Sequence, residues 1–141
     1  MRVLVPDASV ILKWVLPPER EPGAREAMAL LDQFVAGEVM LAVPALWYYE
    51  VANTIARLAP DKAGECLREL RRLGMAEIGA EDAIERRALA CVKRFGVTYY
   101  DAVYYATAAE LGGVLVTADR RFAARLGDDA TVIDLMQFRI E

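Results

Sequence analysis

The sequence predicts an α/β fold with a central, mostly parallel sheet of four to five strands flanked by helices. Three observations predict it. Short apolar runs recur along the chain, segments with apolar residues at helical spacing separate them, and 141 residues suffice for one domain with one core. A chain of this length buries roughly two-thirds of its unfolded surface, so it needs neither a disulfide nor a structural zinc to fold.

Val3 to Val5 reads as the first buried strand, and a short loop, Pro17 to Gly23, leads into a helix marked by Ala27, Leu30, Leu31 and Phe34. Val39 to Val43 is the second strand. Two helices then follow in a row between Ala45 and Leu73. The first carries the stripe Trp47, Val51, Ile55 and Leu58, and the second Ala63, Cys66, Leu67, Leu70 and Leu73. Pro60 stops one and Asp61 is expected to cap the next, giving an αα-hairpin suited to partner contacts. Met75 to Ile78 is a weaker strand candidate. Ile84, Ala88, Val92 and Phe95 mark the next helix, and Tyr99 to Ala109 a helix with almost no polar face. Val114 to Val116 and Thr131 to Ile133 close the sheet. No internal repeat or low-complexity tract divides the chain, so residues 1–141 are expected to form one domain.

Composition narrows the chemistry. The chain has no histidine, which removes the Ser-His-Asp triad and the usual zinc ligand. Its two cysteines, Cys66 and Cys91, lie in helical patterns without CxxC spacing and read as core thiols. The first residues lack the apolar stretch of a signal peptide, and no run reaches the ~18 apolar residues of a membrane span, so a soluble, cytoplasmic protein with no membrane partner is expected. A net charge of −4 argues against a basic clamp on nucleic acid, yet leaves open an acidic site that meets phosphate through metal ions.

Catalysis must then rest on carboxylates. In an open α/β sheet, ligands sit beyond the carboxyl ends of the strands. Asp7 follows the first strand and Asp119 follows Val114-Leu115-Val116-Thr117-Ala118. Each also reads as an N-cap, of helices starting near Ala8 and Arg120, and a cap carboxylate at the sheet edge can still face a cleft. Asp101 stands among Tyr104, Tyr105 and Ala108 on its own helical face and is expected to be largely buried, which is costly unless it is paired, metal-bound, hydrogen-bonded by a tyrosine or set near the helix N-terminus. Glu50 lies beside an apolar stripe, at the expected core boundary, where a solvated glutamate is the plain alternative. If the four converge, two like charges about 4 Å apart repel by roughly 4 kcal/mol at an effective dielectric near 20. Such a cluster takes up protons or binds cations. All-oxygen donors suit Mg²⁺ or Mn²⁺, and carboxylate-held metals suit phosphodiester hydrolysis without a histidine.

Four segments, Val5-Pro6-Asp7-Ala8-Ser9-Val10, Pro44 to Asn53, Tyr100 to Ala106 and Val116 to Phe122, resemble in order and spacing the PIN-domain nucleases, and among them the VapC-type toxins of VapBC toxin–antitoxin pairs. The similarity runs from Met1 to about Leu135. It implies a Rossmann-like fold and metal-dependent endoribonuclease activity. The acidic quartet is then Asp7, Glu50, Asp101 and Asp119, holding Mg²⁺ or Mn²⁺, with Ser9, Asn53 and Thr117 in support. The resemblance also implies an RNA substrate, a homodimer and a cognate antitoxin that fills the acidic groove. For an acidic chain to hold RNA, basic side chains must line that groove. Candidates are Lys13, Arg57, Lys93, Arg94, Arg120 and Arg121, each with a solvated-surface alternative, and the tyrosines at 99, 100, 104 and 105 can stack on bases or pack in the core.

Two other readings compete. One is a PIN fold used for RNA processing or RNA binding without a toxin role. The other is a haloacid-dehalogenase-like phosphohydrolase, which also places an aspartate after its first strand. The second acid expected two residues on is Ser9 here, and no lysine follows a later strand.

Overall fold

The computed structural model describes residues 1–138. Five strands, β1 (Arg2–Pro6), β2 (Val39–Pro44), β3 (Ala76–Ile78), β4 (Val114–Thr117) and β5 (Val132–Asp134), form one sheet in the order β3-β2-β1-β4-β5. Every neighbouring pair is parallel, with Leu4 opposite both Leu41 and Val114 in register. The weak candidate at Met75 to Ile78 is a real edge strand, with Met75 buried just before it. The last strand starts one residue later than its apolar run suggested. The Asp129 carboxylate accepts the Thr131 N–H at 2.8 Å and its carbonyl accepts that of Val132, which holds Thr131 in a turn.

The helices are α1 (Ala8–Ile11), α2 (Ala24–Val35), α3 (Trp47–Leu58), α4 (Ala63–Arg72), α5 (Asp82–Phe95), α6 (Tyr99–Glu110) and α7 (Arg120–Leu126). The right-handed crossovers of parallel sheets put α1 to α4 on one face and α5 to α7 on the other. α6 packs on β1, β2 and β4, and α2 on β2. The chain leaves β1 toward β2 and β3, then returns to β4 on the far side of β1. The switch in direction therefore falls between β1 and β4, where α/β sheets open their ligand crevice.

The αα-hairpin forms as expected, with one correction. Asp61 does not cap α4: it is exposed in the turn, and Lys62 occupies the cap position without a side-chain bond, because the Lys62 carbonyl is the one that accepts the Cys66 N–H, at 3.0 Å. Trp47, buried at the head of α3, donates its indole N–H to Glu77 Oε1 at 2.7 Å and so fixes that helix against β3. Cys66 and Cys91 are buried free thiols. At the start of β4, a Cβ on Gly113 would lie 2.6 Å from the Val3 carbonyl oxygen, so only glycine lets β4 approach β1 this closely. Among the described residues, no helix is long and apolar enough to cross a membrane.

Candidate active site

The ends of β1 and β4 are sewn together. The Asp7 N–H donates to the Val116 carbonyl at 3.1 Å, and the Ala118 N–H donates to the Ser9 hydroxyl at 2.9 Å. Asp7 caps α1: its Oδ1 accepts the Ser9 N–H at 3.0 Å and also the Ser9 hydroxyl. Asp119 caps α7 in the same way, with Oδ1 accepting the N–H groups of Arg121 at 3.0 Å and Phe122 at 3.1 Å. Thr117 is fully buried and its hydroxyl accepts the Asp119 N–H at 3.0 Å. Both acids are thus caps, and both stand at the switch point of the sheet.

Glu50 and Asp101 reach the same edge from helices on opposite faces of the sheet. Glu50 is half-buried in the first turn of α3, and its Oε1 accepts the Tyr104 hydroxyl at 2.9 Å. Asp101 is half-buried rather than largely buried, because α6 begins at Tyr99 and puts the acid in the first turn, where Thr98 caps its N–H at 3.1 Å.

Electrostatics show the four in one neighbourhood, arranged about Asp101. Burial pushes the Asp7 carboxyl up to about 6 from an ordinary 3.8, with Asp101 adding to the rise and the hydroxyls of Ser9 and Thr117 opposing it. Burial also raises Glu50, against the Tyr104 hydrogen bond and with Asp101 adding. Asp101 itself is raised by burial and by Asp119. No ion pair offsets this charge among the described residues. The pairs there are Lys13–Glu21 and Arg87–Glu110, and neither involves the four acids.

As donors the four are a hard, all-oxygen set of the kind Mg²⁺ and Mn²⁺ take. Asp7 is buried, Glu50 and Asp101 are half-buried with raised carboxyls, and Asp119 is exposed. None of the four has an ion-paired cation among the described residues, a charge balance that fits a divalent ion as well. They do not enclose one as they stand, since among the described residues no group of three acidic, histidine or cysteine side chains is placed to hold a metal. A shared ion therefore requires movement at one or more of the four side chains.

The supporting and basic residues divide. Ser9 and Thr117 are built into the site as described. Asn53 lies exposed one turn after Glu50 and makes no side-chain hydrogen bond among the described residues. Arg121 lines a cleft of about 230 Å³ shared with Asp101, Asp119 and Arg125, while Arg120 is exposed and not part of its lining. Lys13 is a correction: it is neither solvated nor free for a substrate, being buried and ion-paired to Glu21 at 3.0 Å. Arg57, Lys93 and Arg94 are exposed, and Arg94 lies over the Phe95 ring. The tyrosines separate too, with Tyr99 and Tyr100 exposed and Tyr104 fully buried.

Arg125 was not singled out by sequence, and Tyr104 was named only as a base-stacking or core side chain and a neighbour of Asp101. Arg125 shares the cleft with Arg121 and donates to the Gly96 carbonyl at 2.7 Å, but its position late in a short helix carries no motif. The bond from Tyr104 to Glu50 spans 54 positions, and its only trace in the sequence is the i, i+3 spacing from Asp101.

Comparison with known proteins identifies the family to which this fold belongs. The PIN domain family model matches residues 4–126. Ribonuclease VapC3 of Pyrobaculum aerophilum is 33% identical over 129 residues, covering 86% of this chain and 93% of the relative. Among solved structures, PAE2754 from Pyrobaculum aerophilum superposes with a TM-score of 0.66 at 26% identity, over 96% of this chain and 85% of that one. A toxin–antitoxin complex from Klebsiella pneumoniae contains a chain with the same fold, with a TM-score of 0.69 at 18% identity over 97% and 99% of the two chains. A family match over most of its length, together with a relative 33% identical over most of both chains, makes this chain a member of the PIN domain family, of the VapC type.

Proposed function

We propose that this chain is a Mg²⁺- or Mn²⁺-dependent endoribonuclease acting as the toxin of a VapBC-type pair in the cytoplasm. The observation that carries the reading is the set of four carboxylates, Asp7, Glu50, Asp101 and Asp119, drawn to one sheet edge around Asp101 and ion-paired to no cationic side chain among the described residues. VapC3 of Pyrobaculum aerophilum bears the name ribonuclease, which supports RNA as the substrate class here.

In this reading the four acids hold the metal. Bound there, a divalent ion supplies charge neutralisation at the scissile phosphate and a water of lowered pKa. The chain's own residues do the rest. Ser9 and Thr117 fix the loops that present Asp7 and Asp119. Arg121 and Arg125, in the cleft beside Asp101 and Asp119, meet the phosphates of the strand. Asn53, exposed one turn beyond Glu50, is free to contact substrate, whereas Lys13 is committed to Glu21. The cognate antitoxin is proposed to silence the site by placing a basic side chain among the acids, and the chain to act as a homodimer. The relative from Klebsiella pneumoniae, a chain of a toxin–antitoxin complex, supports an antitoxin partner.

The test is RNA cleavage by wild type, Asp7→Asn and Asp101→Asn, with Mg²⁺ or Mn²⁺ and with EDTA. Cleavage is expected from the wild type with metal alone. Equal cleavage by all three proteins, or undiminished cleavage in EDTA, overturns the assignment.

A further inference from the structure

Tyr104 is fully buried in α6, and its hydroxyl donates to Glu50 Oε1 at 2.9 Å, joining α6 to α3 across the sheet edge. It stands one turn after Asp101 on the same helical face. The charges of Glu50, Asp7 and Asp101 all bear on its phenol, so it lies among three of the four acids. A buried phenol needs a partner. This one is paired with a carboxylate of the candidate site, and that carboxylate's other oxygen, Oε2, accepts no hydrogen bond among the described residues.

We propose that Tyr104 is the positioning residue of the site, its hydroxyl anchoring the Glu50 carboxylate through Oε1 and leaving Oε2 for the ion that the acids share. A glutamate turns about three side-chain bonds and Asp101 repels its charge, so without an anchor the carboxylate swings toward water. α6 thus supplies both an acid, Asp101, and the clamp for a second acid on another helix. The role toward the ion rests on the metal-dependent reading above; the anchoring rests on geometry alone.

The next residue supplies a control. Tyr105 donates its hydroxyl to Asp129, an acid outside the four. Tyr104→Phe and Tyr105→Phe each remove one hydroxyl from the same helix and keep the ring. The experiment is a Mn²⁺ titration of wild type and both variants by calorimetry, with crystal structures of all three grown in EDTA. Y104F is expected to weaken Mn²⁺ binding about 10- to 100-fold, with Y105F within about twofold of wild type. The Glu50 carboxylate is expected to be displaced in Y104F and in place in Y105F. A Glu50 that keeps its position in Y104F, or equal Mn²⁺ affinity in the two variants, overturns the proposal. Failure of the wild type itself to bind Mn²⁺ removes the metal-dependent reading instead, and the Glu50 position in Y104F then decides the anchoring by itself.

Discussion

The Ser9 hydroxyl accepts the Ala118 N–H at 2.9 Å while donating its own proton to Asp7, so one small side chain ties the acid after β1 to the loop that precedes Asp119. Ser9→Ala leaves the Ala118 amide without that acceptor and removes one of the bonds that hold Asp7 down in pKa. The expected loss is about 1–2 kcal/mol of stability. Urea denaturation measures it, and an unchanged midpoint would refute the tie.

Asp7 sets a pH dependence whose sign follows from burial. With its carboxyl raised to about 6 from 3.8, native Asp7 keeps its proton between those values while the unfolded chain releases it. The native state then binds more protons, and stability is lost as pH rises from about 4 to 6. Glu50 and Asp101, also raised, act in the same direction. In EDTA, Asp7→Asn is expected to melt higher than wild type at pH 7.5, by up to about 3 kcal/mol of stability, and to show a flatter slope from pH 4 to 6. Thermal melts across that range check both, and parallel wild-type and mutant curves would contradict the burial argument.

Arg121 and Arg120 are neighbours with different surroundings, since only Arg121 lines the cleft with Asp101 and Asp119. In an Asp101→Asn background that prevents turnover, Arg121→Ala is expected to weaken RNA binding and to reduce the slope of log affinity against log salt by about 0.7, the share of one phosphate that the arginine no longer neutralises. Arg120→Ala should leave the slope near its starting value. Fluorescence anisotropy at several salt concentrations distinguishes them, and identical effects would move the RNA path away from this cleft.

Gly113 tests the sheet itself. A methyl group there would sit 2.6 Å from the Val3 carbonyl oxygen, a backbone atom that cannot rotate away. Gly113→Ala is expected to cost about 1–3 kcal/mol by prising β4 from β1. Chemical denaturation gives the value, and a loss well below that range would mean the two strands can separate without harm.

Much of this molecule was legible in the order of its residues. Strands β1, β2 and β4 rest on mostly buried, continuous apolar runs, and each of the five candidate segments became a strand to within one or two residues, the edge strands β3 and β5 with less burial. The αα-hairpin was visible because Trp47, Val51 and Ile55 on one helix, and Cys66 and Leu70 on the other, recur at the spacing that faces a core. Details governed by a single hydrogen bond were not visible, as with the cap of α4, where Lys62 and not Asp61 holds the position. Lys13 shows why charge alone misleads: a lysine reads as surface until the fold brings Glu21 beside it and covers both stems.

The acids at Asp7 and Asp119 were fixed by chain order, because a residue directly after a strand in a parallel sheet emerges at its carboxyl edge whatever else the fold does. Asp101 and Glu50 joined them only through tertiary structure. Their helices lie on opposite sides of the sheet, and the starting point of α6 and the Trp47–Glu77 bond determine how each enters the edge. The pairing of Tyr104 with Glu50 and the choice of Arg121 over Arg120 are likewise contacts between elements distant in sequence. Periodicity records which face of a helix is buried, but not which side chain of another element it meets there.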